Sequence, residues 1–231
     1  MQQKARRRGF HRATVFCVHF ASLLFSLAAT SLFLHGSSYC GYRLDRQLGS
    51  GANVRMIVPR LTTRRLILRG LTMNDWEPYA AMWADPRVTA FIGGEPRSRD
   101  VAWTKFGQAA AMWALFDYGN WAVIDGANAT FLGVCGLAQY ERGIPELGGF
   151  PESGWAFAFE SWGRGIASEA IGAVVAWADT NQIMETRCLV DDGNAASIKV
   201  ATRNGYMTCA TLPDKQVFRR PSPSGAVQAR P

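Results

Sequence analysis

Histidine is missing from most of this chain: all three (His11, His19, His35) fall within the first 55 of its 231 residues. A body without histidine cannot build a Ser-His-Asp or Cys-His nucleophile system. A zinc site there would lack its commonest nitrogen ligand, so no metal is expected. The body also lacks any excess of positive charge. Residues 1–55 hold eight Lys/Arg and one acid, which accounts for the whole formal charge of +7, and residues 56–231 hold 17 basic and 17 acidic groups. A nucleic-acid partner therefore has no electrostatic basis in the body. The Gly-Lys-Ser/Thr ending of a P-loop is absent. Cys135, Cys188 and Cys209 match neither a CxxC redox pair nor a zinc pattern. They sit in apolar, strand-like contexts and are expected to be buried, inert thiols.

The N-terminal quarter has its own character. Five positive charges lie between Lys4 and Arg12, and the 22 residues from Ala13 to Leu34 carry none. That length can span a bilayer with the N-terminus held inside. It also resembles a long signal peptide, although six polar residues from Thr14 to Ser31 weaken both readings. A third reading is an upstream extension from a misplaced start, because the body's pattern begins directly after Met56. Residues 1–55 are thus set apart as an extension, residues 56–220 as the main domain and residues 221–231 as a loose tail rich in Pro, Ser and Gly.

The body holds all eight tryptophans, and the chain is 48% hydrophobic and 19% charged. Such a composition can bury a sizeable core. Strand-like and helix-like segments alternate, which indicates an α/β class with a mixed sheet. Residues 65–69, 121–124 and 131–137 read as strands, the last two joined by a turn at Asp125-Gly126-Ala127-Asn128. Asn74 is a candidate N-cap for a helix over 75–84 that Asp85-Pro86 ends; a second helix starts at Ser98 or Asp100 and runs through Phe116. Gly154 to Glu160 shows a period of two, with Trp155, Phe157 and Phe159 on a face expected to meet the core. A helix to about Thr180, a strand over 185–191, a helix over 194–203 stopped by Gly205 and two weaker strands over 206–211 and 216–219 complete the body. Trp76, Trp83, Trp103 and Trp113, on the first two helices, either pack the core or line a pocket.

The chemistry-bearing motif is Ser161-Trp162-Gly163-Arg164-Gly165-Ile166-Ala167-Ser168, between a strand and a helix. Its glycines permit a tight turn and close approach of a ligand. The first N–H groups of the helix lack internal partners, and the helix dipole favours an anion there, so the turn suits a diphosphate. A strand–GxG–helix alone is weak. The dinucleotide fingerprint needs a third glycine, where this chain has Ser168.

Other stretches give the motif context. They are Leu61-Thr62-Thr63-Arg64-Arg65-Leu66-Ile67-Leu68-Arg69, Asn74-Asp75-Trp76, Asp85-Pro86-Arg87-Val88, Trp121-Ala122-Val123-Ile124, Leu132-Gly133, Glu152-Ser153-Gly154-Trp155, Glu169-Ala170 directly after the turn, and Asn194-Ala195-Ala196-Ser197 through Asn204-Gly205-Tyr206. In order and spacing, over positions 60–206, they resemble the GCN5-related N-acetyltransferases (GNAT), in particular the branch holding the Rim-type ribosomal-protein acetyltransferases.

The resemblance implies the GNAT fold: a mixed, mostly antiparallel sheet of six to seven strands, a splayed parallel pair (154–160 and 185–191) and about four helices. It implies acetyl-CoA as co-substrate, its pantetheine arm pairing with backbone around Trp155 to Phe157 and its diphosphate on the N–H groups of Gly163, Arg164, Gly165, Ile166, Ala167 and Ser168. Trp162 stands where many relatives carry Gln or Arg. Asn194 would cap the last helix and hydrogen-bond the arm. Many relatives place a Tyr seven residues after this Asn as the acid for the departing thiolate; here it is Ala201, so either Ser197 supplies the hydrogen bond or the thiolate leaves without an acid. The implied reaction is direct acetyl transfer to a primary amine, on a protein N-terminus or a small molecule. With no histidine in the body, Glu152 is the first candidate for general base, ahead of Glu160, Asp191 and Asp192. The expected setting is cytoplasmic, as a monomer or homodimer, with a membrane contact only if residues 13–34 are an anchor. The alternative is a catalytically silent acyl-CoA-binding module.

Overall fold

The structure is a computed structural model that describes residues 58–223. The extension and most of the tail lie outside the described residues. One sheet of eight strands organises the domain: β1 (Leu61–Thr62), β2 (Leu66–Arg69), β3 (Asn120–Asp125), β4 (Phe131–Ala138), β5 (Glu152–Phe157), β6 (Glu185–Asp191), β7 (Met207–Thr211) and β8 (Lys215–Pro221). Their order is β1-β2-β3-β4-β5-β6-β8-β7. Every neighbouring pair is antiparallel except β5 and β6. Five α-helices join them: α1 (Trp76–Ala84), α2 (Pro86–Thr89), α3 (Arg99–Phe116), α4 (Ile166–Thr180) and α5 (Ala195–Arg203). The expected class holds, with one strand more than the upper expectation and a short extra helix.

Alternation along the strands divides the core between the two faces. Cys135 and Phe157 belong to one cluster with Ile166, Ile171 and Val174 of α4. Their neighbours Val134 and Ala156 belong to another, with Tyr79, Met82 and Trp83 of α1 and Phe106 of α3. Each fully buried large side chain contributes about 1.5–3 kcal/mol. Trp113, Trp121 and Trp177 meet edge to face, with centroids 4.6, 5.2 and 5.5 Å apart, so Trp113 packs the core. Trp76 and Trp103 pack on each other at the outer surface of α1 and α3. Trp83, the remaining tryptophan of the first two helices, lines a cavity.

Four local expectations are corrected. Asn74 is not the cap of α1. A 3-10 turn over Met73–Asp75 precedes that helix, and Thr72 and Asp75 form a capping box across the turn. The Asp75 carboxylate accepts from the Thr72 N–H and from both Arg69 Nη atoms at 2.7–2.8 Å. Asp85 ends α1 as expected, but it then caps α2 by accepting from the Arg87 N–H at 2.8 Å. Phe159 does not continue β5: the Ala158 N–H and the Ser161 hydroxyl both donate to the Leu132 carbonyl, which closes the ladder and turns the chain into a 3-10 turn over Phe159–Ser161. Phe159 is left exposed beneath the Arg87 guanidinium, 3.7 Å from its ring centroid. Cys209 is exposed, unlike the buried Cys135 and Cys188, because β7 is an edge strand with few residues covered. β8 extends to Pro221, and Ser222 beside it is buried.

Candidate active site

β5 and β6 start as a parallel pair and then part. The Arg187 N–H donates to the Pro151 carbonyl at 3.0 Å, and the only paired position is Glu152 with Arg187. On its other edge β5 stays bonded to β4 as far as Ala158. Because backbone groups alternate between edges, Trp155 and Phe157 aim their N–H and C=O groups into the open wedge. The Trp162 indole N–H caps the Phe157 carbonyl at 2.9 Å. The Trp155 N–H faces the wedge at its middle.

The turn after β5 has the conformation that its glycines allow. Gly163 and Gly165 lie at φ +71° and +74°. Gly165 is the residue before α4, whose first-turn N–H groups are unpaired by helix geometry. Among the described residues, none accepts a hydrogen bond from the N–H groups of Gly163 through Ser168. The turn is braced from behind: Glu169 accepts from the Arg65 Nε at 2.7 Å and the Thr63 hydroxyl at 2.6 Å, and Arg65 donates to the Arg164 carbonyl at 2.9 Å. Burial pushes the Glu169 carboxyl up, but those hydrogen bonds outweigh it and hold it below the usual carboxylate range.

α5 closes the other side of the wedge. Asn194 caps it, Oδ1 accepting from the Ser197 N–H at 3.0 Å, as its sequence context predicts. The Trp155 indole N–H donates to Ser197 Oγ at 3.2 Å, which leaves the serine hydroxyl free to donate elsewhere. Ala201 is fully buried in the core and offers the site no polar group.

Two cavities meet at this wedge. The larger, about 410 Å³, runs along β5 to the glycine turn, past Trp162, Gly163, Gly165, Ile166, Ala167 and Ser168. Arg164 contributes backbone to the turn, while its side chain points toward Asp125 at 3.9 Å. The smaller, about 200 Å³, lies toward α1 and α3 and holds Glu152, Tyr79, Trp83 and Lys105. Phe91, Ile92, Trp155, Ala156, Asn194 and Ser197 line both.

Glu152 is 8% exposed and paired with Arg142, whose Nε and Nη2 donate to its two oxygens at 2.7 and 2.8 Å. Burial works against the Arg142 charge, but the Glu152 hydrogen bond and charge hold the guanidinium above its ordinary value. Burial, with the Glu152 charge nearby, pushes the Tyr140 hydroxyl up, so it stays a neutral donor at pH 7. Of the other acids considered, Glu160 is exposed on the 3-10 turn near Arg87, and Asp191 lines the smaller cavity while its Oδ1 accepts from the Gly193 N–H. The sequence reading missed Arg87, Lys199 and Arg203 at the larger cavity and Lys105, Tyr140 and Arg142 at the smaller one. No spacing marks these residues.

A parted strand pair, with a turn of unpaired amides at one end and a second cavity at its middle, is a layout suited to group transfer. The family model for the acetyltransferase (GNAT) domain matches residues 65–207, and the chain belongs to that family of acetyltransferases. It is 29% identical over 156 residues to the uncharacterized protein YkkB of Bacillus subtilis, covering 66% of this chain and 88% of that one. It is 26% identical over 162 residues to the uncharacterized N-acetyltransferase p20 of Bacillus licheniformis, covering 67% and 85%. Its fold matches a crystal structure of an acetyltransferase from Agrobacterium tumefaciens with a TM-score of 0.63 at 29% identity, over 73% of this chain and 98% of the other. Among the described residues, no group of three or more His, Cys, Asp or Glu could hold a metal ion, and no helix is long and apolar enough to cross a membrane.

Proposed function

We propose that the enzyme moves an acetyl group from acetyl-CoA directly to a primary amine. The observation that carries this reading is the meeting of two cavities at Trp155 and Ser197, where β6 leaves β5. The larger has unpaired N–H groups for a diphosphate at one end and strand backbone for an amide-bearing arm along its length. Lys199 and Arg203 add positive charge along its α5 wall. The smaller admits the amine to the thioester carbon.

The amine nitrogen attacks the thioester carbonyl, a C–N bond forms, the C–S bond breaks and one proton leaves the nitrogen. The Trp155 N–H is suited to hold the negative charge that gathers on the carbonyl oxygen. Ser197 Oγ–H is suited to hydrogen-bond the departing thiolate. Glu152 is the proposed acceptor of the amine's proton. Its two oxygens already accept from Arg142, and it would take the proton that leaves the neutral amine on attack and pass it to water. The Rim-like stretches lean the acceptor toward a protein N-terminus; a small-molecule amine suits the small cavity equally.

The test is release of CoA thiol on a panel of amines, with calorimetry of CoA binding alongside. Binding and amine-dependent release are expected. Binding with no release on any amine would leave a silent carrier-binding module, and no binding would remove the reading altogether. Glu152→Gln should lower kcat and shift its pH profile; an unchanged profile would take proton transfer away from Glu152.

A further inference from the structure

The smaller cavity holds a cation with no acid to answer it. Lys105, in the middle of α3, lies half-buried in its wall with Nζ 4.8 Å from the Trp83 ring centroid. Among the described residues, no carboxylate stands within 4 Å of that ammonium. Arg97 and Arg142 are its charged neighbours; Arg97 donates to the Ile92 carbonyl at 2.5 Å, and Arg142 is already committed to Glu152. The acids facing the same space are that paired Glu152 and, on the β6 side, Asp191. Burial, with Arg97 and Arg142 adding repulsion, pulls the Lys105 ammonium below its ordinary value, so a ligand bringing a negative charge would relieve it. Tyr79, Trp83, Ala109 and Met112 give the wall an apolar and aromatic side, and Gln108, Asn120 and Ser153 add uncharged polar groups.

We infer that the acceptor is a small amphoteric molecule, an amine that carries a carboxylate on an apolar or aromatic body, and that Lys105 binds the carboxylate. This rests on the reading of the smaller cavity as the acceptor side. The arrangement is bipolar. Glu152 receives the amine beside the wedge, and Lys105 anchors the opposite charge against the face of Trp83. A polycation would set its second charge against Lys105, Arg97 and Arg142, and like charges at close quarters discriminate strongly. A cavity of about 200 Å³ suits an amino-acid-sized molecule.

The experiment compares matched amines that differ only in the carboxylate: tyrosine with tyramine, phenylalanine with phenethylamine, and 6-aminohexanoate with pentylamine. The readout is the ratio of kcat/KM, acid over amine, for each pair in the full-length protein. The wild type should favour the acid at least ten-fold in the aromatic pairs. Lys105→Met should cut the ratio at least ten-fold, Lys105→Glu should invert it, and Lys105→Arg should keep its direction. Calorimetry with 3-phenylpropionate, which has the carboxylate and no amine, should register binding to the wild type and none to Lys105→Met. Release of CoA thiol with a wild-type ratio at or below one, or a ratio that Lys105→Met leaves in place, would overturn this inference alone. Release on no amine at all, with CoA bound, would overturn the transferase reading beneath it.

Discussion

Replacing Gly163 and Gly165 with alanine isolates what the turn's backbone does. Both residues sit at φ above +70°, a region that costs an L-residue about 1–2 kcal/mol. Space is not the obstacle. A Cβ at Gly163 would meet nothing within 4 Å, and one at Gly165 only Arg65 Nη2 at 3.6 Å. The penalty is therefore conformational strain, and the loop can shed it by rotating a peptide plane. Rotation turns an N–H away from the carrier's phosphates. Binding then has to restore the strained turn, so each substitution should weaken CoA by up to the strain itself, about five- to thirty-fold in Kd for 1–2 kcal/mol. The two positions are neighbours, so the double variant should fall short of the product of the singles. Gly165→Asn should recover part of the loss, because Asn tolerates this region better than Ala. Titration calorimetry with CoA and with pantetheine, which lacks the diphosphate, separates the effects. CoA affinity should drop while pantetheine affinity stays put. A double-alanine protein that binds CoA within two-fold of the wild type would refute the idea that these amides grip phosphate, whatever happened to its melting temperature.

Other substitutions probe the frame and the wedge. Asp75→Ala leaves Arg69 and the Thr72 cap without their partner and should cost about 3–5 kcal/mol, read from urea midpoints. Burial raises the Asp75 carboxyl, but the Arg69 and Thr72 hydrogen bonds outweigh it and hold it below its ordinary value. Its contribution is therefore present above the unfolded Asp value near 3.9 and lost as pH falls through the folded value, so the variant should show a shallower acid-side loss of stability than the wild type. Ser197→Ala should reduce kcat about ten-fold with CoA affinity nearly unchanged; single-turnover rates that match the wild type would mean the thiolate departs without help from that hydroxyl. Gly136→Ala would drive a Cβ into the Gly119 carbonyl and to 2.6 Å from Asn120 Cα, so the β3–β4 ladder must shift, at about 1–3 kcal/mol in thermal unfolding.

The legible parts of this protein are those that local chemistry fixes. The strand read over 185–191 matches β6 at both ends, and its residues alternate in burial as a strand's must. Asn194 announces α5, because its side chain replaces a missing backbone acceptor. The glycine turn is legible because few residues other than Gly tolerate positive φ. Asn74 misled because Thr72 and Asp75 offered a better cap, stabilised by Arg69 from another element. Phe159 misled because its period-of-two neighbours are real strand residues; what ends β5 is the Leu132 carbonyl, which lies 27 positions away in sequence. Glu152 was singled out from the sequence, but its partner Arg142 gave no signal, for the same reason. Their pairing depends on how a loop folds back over the start of β5.

That division between local and distant signals follows the division of labour in the site. In the proposed reaction the carrier is met mostly by main chain: the free edge of β5 and the first amides of α4. Main-chain recognition constrains backbone shape, and so leaves a glycine motif in the sequence. The proposed acceptor cavity is walled by residues of α1, α3, β5, β6 and α5, between Tyr79 and Ser197, which converge only in space. Its chemistry can change at Lys105 or Tyr79 without disturbing the turn at Gly163. The two classes of substitution should then separate cleanly. Changes at Gly163 or Gly165 should weaken every acceptor's turnover in proportion at subsaturating acetyl-CoA. Changes at Lys105 should reorder acceptors while leaving carrier affinity where it was. A Lys105 variant that lost CoA binding, or a Gly165 variant that reordered acceptors, would mean that the two cavities are not independent compartments and that the wedge between β5 and β6 transmits strain across their shared wall.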